Sequence, residues 1–118
     1  MRQKFRYVAA KFTFNIQKTF IFSQEVLFLL IKDLLYQNFG EIGVAKLDTF
    51  ILIEYLPANN ICIFRVPLYV SKEVIYSLIT CGSIDSLKCN ISIFFISGGL
   101  RTLKKRIIKF VGDDKNNY

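Results

Sequence analysis

Two apolar runs stand back to back near the middle of the chain, residues 44–56 (VAKLDTFILIEYL) and 61–66 (ICIFRV), separated only by Pro57-Ala58-Asn59-Asn60. A connection this short returns the chain on itself as an antiparallel hairpin, and proline followed by two asparagines is a turn signal. The first run alternates and then becomes continuously apolar, as a strand does on entering the centre of a sheet. The second ends near Pro67. The rest of the chain has to be arranged around this hairpin.

Each side of the hairpin holds a strand and a helix. Residues 5–14 (FRYVAAKFTF) read as a strand with Val8, Ala10, Phe12 and Phe14 on one face, a face that carries Arg2, Lys4 and Arg6 at its lower end. Ser23 is placed to cap a helix running to about Phe39, with Glu25 in its first turn and Gly40 as its left-handed stop. After the hairpin, Ser71 is the expected cap of a helix over 72–81, with Val74, Ile75, Leu78 and Ile79 at helical spacing and Gly82-Ser83 closing it. Residues 87–96 (LKCNISIFFI) make a fourth strand. Gly98-Gly99 breaks the chain before a last helix over 100–111. The order β-α-β-β-α-β plus a C-terminal helix is the split βαβ plan of an α+β, ferredoxin-like (RRM-like) sandwich. It predicts a four-stranded antiparallel sheet with two helices on one face. One domain over 1–111 and a disordered tail at 112–118 account for all 118 residues.

The first helix is more apolar than one sheet-facing stripe needs. Val26, Leu27, Phe28, Leu30, Ile31, Leu34, Leu35 and Phe39 cover over half its circumference. The excess calls for a second contact, either the terminal helix or another protein.

Charge is segregated along the chain. The net charge is +7, yet residues 19–100 hold five basic and seven acidic side chains. Residues 1–18 hold Arg2, Lys4, Arg6, Lys11 and Lys18 with no acid, and residues 101–109 hold Arg101, Lys104, Lys105, Arg106 and Lys109 with no acid. Two basic ends around a mildly acidic middle read as a polyanion footprint more readily than as a solvated coat. In the last helix Leu100, Leu103, Ile107, Phe110 and Val111 form an apolar stripe. Arg101, Lys105, Arg106 and Lys109 take the opposite half, and Lys104 snorkels at the rim. An ordinary amphipathic helix explains the stripe but not the lack of acids. The Gly98-Gly99 turn just before it lets backbone approach an anion, although a plain strand–helix connector explains it as well.

The inventory for other chemistry is thin. With no histidine in the chain, the usual neutral-pH acid/base and the commonest metal ligand are missing. No nucleophile–base pair, carboxylate pair or metal-ligand spacing stands out, so neither a catalytic residue nor a metal or other cofactor is expected. The G-K-[ST] of a P-loop does not follow Gly98-Gly99. Asn15-Ile16-Gln17-Lys18 occupies the place of an acylphosphatase-like phosphate loop. The third strand, ICIFRVP, lacks the aromatic pattern by which an RNA-recognition motif stacks bases. Cys62, Cys81 and Cys89 form an odd set without C-x-x-C spacing and read as buried small hydrophobes in a reducing compartment. The stretch from Val26 to Ile31 is closed off by Lys32 and Asp33, so no membrane span is expected, and Lys11 interrupts any signal-peptide core. The sequon Asn90-Ile91-Ser92 falls in an expected strand of an expected intracellular chain.

With these elements placed, the chain resembles the Pop-five/Rpp-fourteen family of ribonuclease P and MRP subunits. The resemblance runs from K-F-R-Y-V (Lys4 to Val8) through F-G-E-I-G (Phe39 to Gly43) and E-Y-L (Glu54 to Leu56). It continues over the hairpin ending at Arg65 and the S-K-E-V-I-Y helix to I-S-G-G-L-R-T (Ile96 to Thr102). Gly99 stands where the family carries threonine.

The resemblance implies a variant ferredoxin-like fold in a ribonucleoprotein whose metal-dependent chemistry is performed by RNA, with 5′-leader removal from precursor tRNA as the reaction. Implied partners are ribonuclease P or MRP RNA, a barrel-like Rpp-thirty/Rpp-one subunit, other ribonuclease P proteins and, indirectly, precursor tRNA. In a eukaryote it implies the nucleus and nucleolus. The expected RNA-binding set is Arg2, Lys4, Arg6, Gly98, Gly99, Arg101, Lys105, Arg106 and Lys109. The expected partner interface is Leu27, Phe28, Leu30, Ile31 and Leu34 on the first helix. The competing expectation is a ferredoxin-like adapter that binds protein or a small ligand without RNA.

Overall fold

The computed structural model describes residues 4–14, 22–41, 47, 49–84 and 87–116, with side chains described up to Lys109. Strand β1 (Phe5–Phe14) leads to helix α1 (Gln24–Phe39), then to the hairpin β2 (Ile51–Leu56) and β3 (Ile61–Pro67). A 3-10 turn (Leu68–Val70) opens helix α2 (Ser71–Ile79), followed by β4 (Ser83–Ile84), β5 (Leu87–Ser97) and helix α3 (Leu100–Asn116). The sheet order is β2-β3-β1-β5-β4, every pair antiparallel. Its four long strands follow the predicted plan. The sheet has five strands where four were expected, because Ser83 and Ile84 fold back on Lys88 and Leu87 as a short edge hairpin.

The local signals act through identifiable hydrogen bonds. Ser23 Oγ accepts the N–H of Val26 at 3.2 Å, and Gly40, at φ +73°, donates its N–H to Tyr36 O at 2.9 Å. Asn60 takes the left-handed turn position at φ 56° and accepts the Tyr55 hydroxyl on its Oδ1 at 2.9 Å. Ser71 departs from its expected role. It is the first residue of α2, and its hydroxyl donates to Leu68 O at 2.9 Å inside the 3-10 turn, so no side chain caps this helix. Strand β2 begins only at Ile51. Of the run expected to be extended, Leu47 and Phe50 are buried outside the strand, joined by a turn hydrogen bond, and residues 42–46 and 48 lie outside those described. Helix α3 continues through Asn116, into residues read as a tail, and 117–118 lie outside those described.

Two separate cores lie on the two faces of the sheet. Helices α1 and α2 pack Leu27, Ile31, Leu35, Val74 and Leu78 onto one face, against Val8, Ala10, Phe12, Cys62 and Phe64. Helix α3 packs Leu103 and Ile107 onto the other, against Ala9, Ile61 and Ile63. Strand β3 is buried on both sides, which is why its sequence is continuously apolar rather than alternating. Register shifts at Ile53 in β2 and Phe94 in β5 each insert one residue, and both extra side chains join the α3-side cluster. The bulges thus supply apolar surface for a third helix that strict alternation would leave on the wrong face. Among the described residues no helix is long and apolar enough to cross a membrane.

Candidate nucleic-acid interface

The candidate interface lies at the corner where β5 hands the chain to α3. Ser97 ends the strand, and its hydroxyl accepts the N–H of Gly99 at 3.1 Å. Gly99 O accepts the N–H of Leu103 at 3.2 Å, which closes the first helical turn. Tyr7 pairs with Ser97 across β1 and β5, so Arg6 lies beside Gly98. A Cβ built on Gly98 would meet Arg6 Nη1 at 3.3 Å, while the same Nη1 donates to Phe5 O at 3.1 Å. The beginning of the first strand and the beginning of the last helix therefore meet, although about ninety residues of sequence separate them.

From that corner α3 presents its cations outward. Arg101, Lys104, Lys105, Arg106 and Lys109 are exposed, while Leu103 and Ile107 on the opposite side are 0% and 5% exposed. The axial run from Arg101 to Lys109 is about 12 Å at 1.5 Å per residue. Arginine in this row can grip a phosphate through two N–H groups, and lysine acts as a point charge. Of the expected RNA-binding set, Arg6 stands beside Gly98, and Gly99 and Arg101 follow Gly98 into the first turn of α3. Lys105 and Lys109 follow one and two turns further along, with Arg106 beside them. Lys4 is exposed at the foot of β1, and its carbonyl accepts the N–H of Leu68 at 2.8 Å. Arg2 lies outside the described residues.

The residues expected at a partner interface all lie on α1. Leu27, Ile31 and Leu34 are buried in the chain's own core, and Phe28 and Leu30 are half-buried against it. The terminal helix does not cover α1, because the sheet stands between them. The apolar surface of α1 that remains in solvent is Val26, Leu29, Tyr36 and Phe39. It continues onto α2 through Tyr76, whose ring meets that of Phe39 edge-on at 5.8 Å, and Asn38 bonds Ser77 Oγ between the same helices at 3.2 Å.

Sequence reasoning missed a cluster on the α3 side of the sheet. Arg65 pairs with Tyr7, so the two side chains project together, and the Arg65 guanidinium carbon stands 4.0 Å over the centre of the Phe5 ring. Arg65 Nη2 donates to Thr49 O at 3.3 Å, while its Nε is buried without an acceptor among the described residues. The alternation of β1 and β3 places Phe5, Tyr7 and Arg65 on one side only once the strand register is known.

In overall fold the chain is similar to a chain of the cryo-EM structure of yeast ribonuclease MRP. The superposition has a TM-score of 0.65 at 16% identity and covers 100% of this chain and 98% of that one. Among curated proteins, none matches the chain in sequence. The model of the Rpp14/Pop5 family matches residues 6–108, from the arginine at the corner to the outward face of α3, and the chain belongs to that family.

Proposed function

We propose that this chain is a non-catalytic protein subunit of the ribonuclease P/MRP ribonucleoprotein that binds and stabilises the catalytic RNA for 5′-leader removal from precursor tRNA, for rRNA processing, or for both. The observation that carries the reading is the outward face of α3 from Arg101 to Lys109, five exposed cations without an acid, with Arg6 beside Gly98 just ahead of the helix. Phosphates are the partner for such a row, since contacts to backbone and shape need charge and no base-specific donors. Family membership supports the same reading.

The exposed ridge of Leu29, Tyr36, Phe39 and Tyr76 is the surface this reading assigns to a barrel-like Rpp-thirty/Rpp-one partner, in place of the buried leucines of α1. In a eukaryote the assembly would work in the nucleus and nucleolus. Purifying the native protein and sequencing the RNA that accompanies it tests the assignment. A defined ribonuclease P or MRP RNA is the expected result. Protein partners without RNA would overturn it and favour an adapter role.

A further inference from the structure

We infer that the open end of the sheet beside the α3 corner is a stacking site for an unpaired RNA base, an inference that rests on the RNA-binding reading above and adds a second kind of contact to it. Helix α3 covers the middle of its sheet face, where Ala9, Ile61 and Ile63 are 0–2% exposed. An RNA-recognition motif uses that central area for stacking, and here Leu103 and Ile107 fill it. The row nearest the start of the helix is different. Hydrogen-bonded register aligns Arg65, Tyr7 and Ser97 across β3, β1 and β5, with Phe5 one step outward on the same side. Phe5, Tyr7 and Arg65 are all half-buried, their remaining surface open to solvent.

The chemistry of this row is that of a base-binding platform. The Arg65 guanidinium is held over Phe5 at 4.0 Å, and a guanidinium plane flanked by aromatic rings is a surface on which a nucleobase can continue the stack. Arg65 is also short of acceptors, with Nη2 on Thr49 O and Nε on none, so its charge is only partly matched from within the described residues. The cations of α3 follow directly from the Ser97 end of the row and supply the charge that tracks a phosphate backbone, while Arg6, between Phe5 and Tyr7 on β1, projects from the opposite face of the sheet. Aromatic and guanidinium planes beside a basic track are the combination by which proteins hold single strands, largely without regard to sequence. A base inside a duplex has both faces occupied, so the site takes a splayed-out or single-stranded nucleotide.

The test uses the full chain and two probes of equal length, a single-stranded RNA carrying 2-aminopurine and the corresponding blunt duplex. The expected result is quenching of 2-aminopurine on binding and a preference for the single strand. Tyr7→Leu and Arg65→Lys, which keep apolar bulk and charge respectively, should each weaken single-strand binding roughly 5- to 150-fold, the range of one lost base–aromatic stack. Both should leave duplex affinity unchanged, and Tyr7→Phe should behave as wild type. Circular dichroism confirms that each variant is folded. Unquenched 2-aminopurine, or single-strand affinity that survives both substitutions, overturns the stacking site and leaves phosphate binding by α3 standing. Failure of the wild-type chain to bind either probe at low salt overturns the RNA reading and the stacking site together.

Discussion

The Arg6 guanidinium lies so close to Gly98 that a Cβ there would stand 3.3 Å from Nη1. The β1–β5 pairing sets this close approach of Arg6 to the residue two before α3, and the approach is testable by a double-mutant cycle. Gly98 has no positive φ, so Gly98→Ala should gain about 0.4–1 kcal/mol from reduced freedom of the unfolded chain. The Arg6 contact offsets that gain in the wild type and releases it in an Arg6→Ala background. Urea unfolding of the four proteins measures the coupling, and strictly additive effects would show that the two residues do not touch.

Gly40 is a different kind of glycine. Its φ of +73° and ψ of −163° lie in a region that side chains avoid, while nothing within 4 Å would obstruct a Cβ. Gly40→Ala should therefore cost about 1–3 kcal/mol through backbone strain alone. The loss should appear as a lower urea midpoint with an unchanged slope.

Among the described side chains of helix α3, Leu103 and Ile107 are buried against the sheet, Leu103 fully so. Leu103→Ala should cost about 2–5 kcal/mol. Because the α1–α2 core lies on the other face, the loss should first appear as faster amide exchange in α3, ahead of any change in α1. Equal loss of protection in both helices would show that the two cores open as one.

Salt should separate the contacts made by α3 from the rest of the surface. Each cation that neutralises a phosphate contributes about 0.7–0.9 to the slope of log affinity against log salt. Arg101→Ala and Lys105→Ala should each reduce that slope by roughly 1, and the double charge reversal Arg101→Glu/Lys105→Glu should abolish assembly while folding stays intact. A reversed variant that follows the wild-type salt titration would remove α3 from the interface.

The thiols predict a stability limit at alkaline pH. Burial pushes the Cys62 thiol from 9.0 up to about 12. Cys89 rises to about 11 through burial and the nearby Cys81, opposed by a backbone hydrogen bond with Thr13. Both groups hold their protons more tightly in the folded chain. The stability they contribute is fully present below pH 9 and is lost as pH rises from 9 towards 11 and 12, where only the unfolded thiols ionise at first. Cys62→Ala should flatten the decline of the urea midpoint over that window. Alkylation of Cys62 at pH 8 should stay slow until denaturant opens the β-hairpin core.

Much of this protein was set by local sequence. The turn at Pro57–Asn60, the Ser23 cap, the Gly40 stop and the apolar stripe of α3 are short-range signals, each satisfied by residues within a turn or two, so they survive being read without neighbours. The charge asymmetry of α3 was legible for the same reason, since a helix fixes its own faces. Tertiary structure decided what depends on strand register. It placed Arg6 beside Gly98, set Arg65 opposite Tyr7 over Phe5, turned the bulged Ile53 and Phe94 towards α3, and buried Leu27, Ile31 and Leu34 of α1 in the chain's own core. A shift of one residue in pairing reverses which face a side chain occupies, and no composition or period along a single strand records which residue of another strand will stand beside it.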